Sequence, residues 1–193
     1  KIAARAMLFH RGAFKKNDAE RFNAYLESVK SGNAKMNTGT VVPYNIIHDA
    51  DRRGRVSDDL QLMWDNLPDY IEGDATNILC MCDNSASMTW NTGRAYEVAC
   101  GLGLYFAERN HGIFHNKFIT FSTEPAFVDI SGGGKSLDKK INIYRHANWN
   151  GSTDIGAAMK LILDAAVRSH VAPKDMPKAL IIISDMEFNT CSH

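Results

Sequence analysis

Residues 77–90 read NILCMCDNSASMTW. Ile78 to Cys82 form a short run that is apolar at both alternations, as a central parallel strand covered on both faces requires. The run stops abruptly at Asp83, Ser85 and Ser87, small oxygen-bearing residues spaced one residue apart. Alternate residues of a turn can aim at one point, so the spacing predicts that these three converge while Asn84 and Ala86 face away. Taken alone, the trio equally suits a polar turn capping the helix that begins near Gly93, because Ser and Asp are common caps.

Downstream, GRAYEVACGLGLYFAERN predicts a helix with Ala95, Ala99, Leu102 and Phe106 on its buried stripe. Gly101 and Gly103 would let that helix approach a sheet closely. HNKFITFS reads as a second strand, and PAFVDI as a short third that the STE turn folds back as an antiparallel edge. SGGGKS at 131–136 lacks the spacing of a phosphate-binding loop and reads as a turn. SLDKKINIYRH is a weaker helix. In ANWNGSTDIGAAMKLILDAAVRSH a loop leads to a strong helix with Ile155, Met159, Leu163 and Ala166 spaced for burial. KALIIISDMEF is another buried strand ending in an aspartate. Strands alternating with helices predict an α/β fold, a doubly wound and mostly parallel sheet over residues 77–193.

Upstream, residues 1–76 form a helical lead-in. NDAERFNAYLESVKSG places Asn17 as N-cap with Glu20 three residues on, then Phe22, Tyr25, Leu26 and Val29 at helical spacing, and Gly32 as the stop. VVPYNIIHDADRRG puts Pro43 at a helix start and Gly54 at its end. SDDLQLMWDNLPDYI opens on Ser57 and two acids, then sets Leu60, Met63, Trp64 and Leu67 on one face.

The chain has 193 residues with 22 basic and 22 acidic side chains, so its average surface offers no general attraction for nucleic acid or an anionic membrane. Lys1, Arg5, Arg11, Lys15 and Lys16 precede the first acid and read as a solvated helix face, with a phosphate-binding patch as the alternative. No apolar run is long enough to span a membrane, and the first residues lack the apolar core and cleavage site of a secretory signal. The cysteines, Cys80, Cys82, Cys100 and Cys191, have no disulfide-framework spacing, which predicts buried thiols in a reducing, cytoplasmic setting. The seven histidines show no close-paired ligand spacing.

In doubly wound sheets the carboxyl ends of the strands carry the chemistry. Three polar clusters fall at such places: Asp83, Ser85 and Ser87; Thr153 and Asp154 in a loop before a helix; and Asp185 at a strand end. Hydroxyls and carboxylates without histidine or thiol are hard oxygen donors, suited to Mg²⁺, Mn²⁺ or Ca²⁺. These residues also carry a resemblance. DNSAS, Thr153 of GSTD and Asp185 of IIISD are similar, in order, interval and strand context, to the metal-ion-dependent adhesion site of von Willebrand factor A domains. The resemblance implies Ser85, Ser87 and Thr153 as direct ligands, Asp83 and Asp185 acting largely through water, and an open position for a partner's acidic group.

RFNAYLESVKSGNAK, FITFSTEP and SDMEF extend the likeness to an intracellular domain-of-unknown-function branch in which a helical region precedes the A domain. The A domain of the Ro ribonucleoproteins resembles it more distantly. The A-domain pattern continues past its third element, whereas this sequence ends eight residues after Asp185, so the C-terminal part of the domain is expected to be missing. Met88, Trp90, Trp149, Asp154 and Met186 surround the expected ion as a partner-binding rim, the apolar ones with core packing as the alternative role.

The expected function is a metal-dependent protein-binding module rather than an enzyme, capturing a partner's exposed Asp or Glu, with no membrane contact. Two alternatives stand beside it. One is metal-assisted phosphoester hydrolysis, which the lack of a phosphate loop and a placed general base disfavours. The other is RNA–protein assembly, with RNA held by other parts of a larger protein, by analogy with Ro.

Overall fold

The computed structural model describes residues 3–71, 78–83, 85–89, 94–149 and 154–184. The chain divides into two compact units, Lys1–Tyr70 and Ile71–His193.

The first unit is helical: α1 (Ala4–Asn17), α2 (Ala19–Lys30), α3 (Pro43–Arg53) and α4 (Asp58–Asp65). Asn17 is the last residue of α1, and Asp18 rather than Asn17 takes the N-cap position of α2. The chain turns at Asp18, whose N–H still bonds the Phe14 carbonyl at 2.9 Å, so one helix ends where the next begins. Pro43 occupies the first turn of α3, and Gly54 ends it with φ of 67°, a left-handed conformation that glycine adopts without penalty. Phe22, Leu26 and Val29 of α2 are buried, as are Ile46, Ile47 and Ala50 of α3 and Leu60, Met63 and Trp64 of α4. Tyr25 is half-buried.

Arg11 departs from the solvated face expected of it. It is only 2 % exposed, and its guanidinium pairs with Asp49 and, through Nε at 2.6 Å, with Asp59. Lys15 Nζ reaches the other Asp59 oxygen at 2.6 Å. Burial alone would raise the Asp59 pKa. Hydrogen bonds from Lys15 and Ser57 and the charges of Lys15 and Arg11 outweigh it, holding the carboxyl below its ordinary range.

The second unit contains β1 (Ile78–Cys82), α5 (Ala86–Thr89), α6 (Arg94–Arg109), β2 (Lys117–Thr120), β3 (Phe127–Asp129), α7 (Leu137–Arg145), α8 (Ile155–Arg168) and β4 (Ala179–Ile183). Its four-stranded sheet runs β3-β2-β1-β4. β1 lies parallel to both β2 and β4, with Cys82 level with Thr120 and Ile183, and β3 folds back antiparallel on β2 as the sequence predicts.

Side chains alternate between the faces of a strand. Leu79 and Met81 join Ile119 and Phe121 in a core with Ala158 and Ile162 of α8. Cys80 and Cys82 therefore point to the other face. There a Cβ on Gly103 of α6 would sit 2.7 Å from Cys82 Sγ and 3.6 Å from the Tyr144 ring of α7. Of the expected stripe Ala99 is buried, and the tight approach puts Cys100, Gly103 and Ala107 rather than Leu102 and Phe106 on the buried side of α6, beside the buried Glu97, Gly101, Leu104 and Tyr105. With the backbone so near the strand, small residues seat against it, and the bulky Leu102 and Phe106 rotate to half-buried flanks.

On the opposite face α8 also differs from expectation. Ala158, Ile162 and Ala166 are buried, whereas Ile155, Met159, Leu163 and Val167 are 37, 49, 58 and 64 % exposed. The apolar band of α8 is broad, and the narrow sheet takes only the edge where two alanines allow close contact. Among the described residues β4 lies at the edge of the sheet rather than fully buried, with Ile182 38 % exposed. Cys80, Cys82 and Cys100 are buried free thiols, and SGGGKS forms a short 3₁₀ turn over Ser131–Gly133 and ends on Ser136, the N-cap of α7.

Candidate metal centre at the strand ends

The chain leaves β1 on one side for β2 and β3 and returns on the other side as β4, so the strand order reverses between β1 and β4. The carboxyl ends of these two strands form the place where open α/β sheets bind ligands. Asp83 and Ser184 follow them directly.

Asp83 is 2 % exposed. Its N–H bonds the Ile183 carbonyl at 2.9 Å, which extends the ladder by one residue and fixes the side chain over the gap. Asp83 Oδ1 accepts the Ser85 N–H at 2.8 Å, closing a tight turn, and Oδ2 accepts the Ser184 hydroxyl at 2.8 Å. The Ser85 and Ser87 hydroxyls lie 2.9 Å apart in direct hydrogen bond. The Ser85 carbonyl accepts the Met88 N–H at 3.1 Å, so the short helix α5 holds the turn from behind.

Asp83, Ser85 and Ser87 are thus brought together, and Ser184 joins them from 101 residues away. Ser184 was not singled out in the sequence. Its only signal is its position beside Asp185, at the end of the strand that pairs with β1. Thr153, Asp185, Trp90 and Met186 lie outside the described residues, as does Asn84.

The rest of the expected rim has other duties. Met88 is 1 % exposed and belongs to the core, which corrects its assignment to a partner-facing surface. Trp149 is half-buried: its ring stacks on Phe118 at 6.1 Å and its indole N–H donates to the Tyr144 carbonyl at 3.0 Å. Asp154 is the N-cap of α8, its Oδ1 accepting the Ala157 N–H at 2.9 Å.

The donors in view are one carboxylate and the hydroxyls of Ser85, Ser87 and Ser184, a hard set that fits Mg²⁺ or Mn²⁺ better than a soft metal. Among the described residues no group of three or more His, Cys, Asp or Glu is placed to hold a metal. No Lys, Arg or His pairs with Asp83 among them. Among the described residues its charge is met by an amide and a hydroxyl alone, and a buried carboxylate so placed has room in its electrostatics for a cation.

No helix of the described residues is long and apolar enough to cross a membrane. Comparison with known proteins finds 28 % identity over 180 residues with the uncharacterized protein L728 of Acanthamoeba polyphaga mimivirus. That match covers 92 % of this chain, and the chain spans 31 % of the length of the viral relative. No solved structure matches. Residues 1–79 match the model of a domain of unknown function, DUF2828. Residues 77–193, well over half of the chain, match that of another, DUF7788, and the chain belongs to this DUF7788 family.

Proposed function

We propose that the α/β unit is a von Willebrand factor A-like module that binds a partner protein through a divalent cation. The reading rests on one observation above others: a buried carboxylate, Asp83, at the strand-order reversal, with serine hydroxyls gathered beside it and no cationic side chain on it among the described residues. In this reading Asp83, Ser85, Ser87, Thr153 and Asp185 hold Mg²⁺, or Mn²⁺ or Ca²⁺ in its place. When bound, the ion supplies an electrophilic coordination position that attracts a carboxylate of the partner's Asp or Glu.

The chain's own residues do the rest. The Asp83–Ser85 turn sets the direction of the serine hydroxyls, Ser184 orients the second Asp83 oxygen, and Asp154 caps the start of α8. Neutral hydroxyls leave more positive charge on an ion than carboxylates would, which favours capture of an anionic group. The buried free thiols of Cys80, Cys82 and Cys100 suit a reducing, intracellular setting.

Thermal unfolding with Mn²⁺ or Mg²⁺ tests the reading, using wild type and Asp83→Asn. At a hundredfold excess over Kd, binding stabilises by about 2.7 kcal/mol, which in a domain of this size raises Tm by roughly 5–10 °C. The variant is expected not to respond. Equal shifts in both proteins would defeat the proposal.

A further inference from the structure

We propose that the groove between α1 and α3 of the helical unit binds a nucleoside phosphate, either free or as a link of single-stranded RNA. The groove has a volume of about 350 Å³, and its walls include Phe9 of α1 and Asn45, His48, Asp49, Arg52 and Arg53 of α3. That size suits a small organic ligand rather than a lone ion.

The two walls are chemically complementary to the two halves of a nucleotide. On α1, positions 5, 9, 12 and 16 share a face and carry Arg5, Phe9, Gly12 and Lys16. Phe9 is 68 % exposed, and the Arg5 guanidinium lies 5.9 Å from its ring centre. An open aromatic face flanked by arginine is a platform on which a base stacks. On α3, Asn45, His48 and Arg52 recur at helical spacing along the opposite wall. Arg52 is exposed and has no acidic partner among the described residues, so its fork of N–H donors is available to a phosphate.

The single acid of the lining does not oppose this. Asp49 is already paired with the buried Arg11 and, at 3.4 Å, with Arg53. The Arg11–Asp49 pair also ties α1 to α3, which fixes the spacing of the walls before any ligand arrives. Gly12 leaves open space where a side chain would meet Arg53, the nearest atom to a Cβ there being Arg53 Nη2 at 4.0 Å. A simple anion would leave the Phe9 ring in water, and an apolar ligand would leave Arg52 uncompensated. A nucleotide satisfies both.

The test is fluorescence anisotropy of the whole chain with a fluorescein-labelled decamer of oligouridylate, in about 50 mM and about 200 mM salt. Wild type should bind the decamer. Phe9→Ala should weaken binding roughly 5- to 150-fold, the effect expected of one lost base stack. Arg52→Ala should weaken it and lower the salt slope by about one. Both side chains are on the surface, and circular dichroism checks that the variants are folded.

Competition with AMP separates the two sources. Displacement of the decamer supports the groove as a site for free nucleotides, and retention supports the RNA link, provided both variants weaken binding. No binding by wild type at low salt, or wild-type affinity in both variants, overturns the proposal. So does equal affinity for a duplex RNA of the same length, since paired bases cannot stack on Phe9. None of these outcomes depends on a metal at Asp83.

Discussion

Each unit buries a carboxylate, and the two are treated differently. Asp59 in the helical unit is enclosed between Arg11 and Lys15, so its charge is balanced within the fold. Asp83 in the α/β unit is as deeply buried, yet among the described residues only the Ser85 N–H and the Ser184 hydroxyl address it. Burying a charge is costly unless it is paired. The contrast therefore separates a carboxylate that completes a structure from one that, in the proposed reading, a bound cation completes.

The largest effect expected from this contrast is at Asp59. Asp59→Ala leaves Arg11 buried with half its compensation and should cost about 3–5 kcal/mol in urea unfolding. Because the folded Asp59 pKa is depressed, its contribution is present above the unfolded carboxyl value near 4 and is lost as pH falls through the folded value. Acid unfolding of wild type should show that loss, and Asp59→Ala should not. At Asp83 the sign is opposite in metal-free buffer. With EDTA present, Asp83→Asn should be at least as stable as wild type, because it removes a charge that no cationic side chain balances among the described residues while Ser184 can reorient to accept from the amide. A loss of several kcal/mol at Asp83 in EDTA would show the two carboxylates to be alike and break the comparison.

The faces of the sheet sharpen it further. Gly103→Ala forces a Cβ to within 2.7 Å of Cys82 Sγ and should destabilise by about 1–3 kcal/mol, read by urea unfolding. On the α8 face Leu163 is 58 % exposed, and Leu163→Gln should change stability by no more than about 0.5 kcal/mol. A large cost at Leu163 would mean that the α8 stripe is covered in solution.

Much of this was legible in the sequence, for reasons that particular residues make plain. The central strand and the Asp83, Ser85 and Ser87 turn are local, so periodicity and spacing reveal them. Pro43 and Gly54 likewise mark the ends of α3 by their own backbone preferences. Arg11 could not be read correctly, because its partners Asp49 and Asp59 lie on other helices far along the chain. Ser184 resembles a strand terminus until the β1–β4 pairing places it on Asp83. The stripes of α6 and α8 were misplaced because apolar residues are abundant around both helices, and only the closeness of Gly103 and of Ala158 to the sheet decides which side faces in.

Asn110, just past the end of α6, accepts the Ile78 N–H on its Oδ1 at 3.0 Å, so the helix holds the far end of β1. At the near end the Cys82 thiol lies 3.6 Å from the Ala99 carbonyl of the same helix. The central strand is thus gripped at both extremities by a single rod and cannot creep along its axis. A shift by one residue would turn every side chain to the opposite face and carry Asp83 off the gap. The length of α6 works as a ruler, setting how far the carboxylate stands out from the sheet.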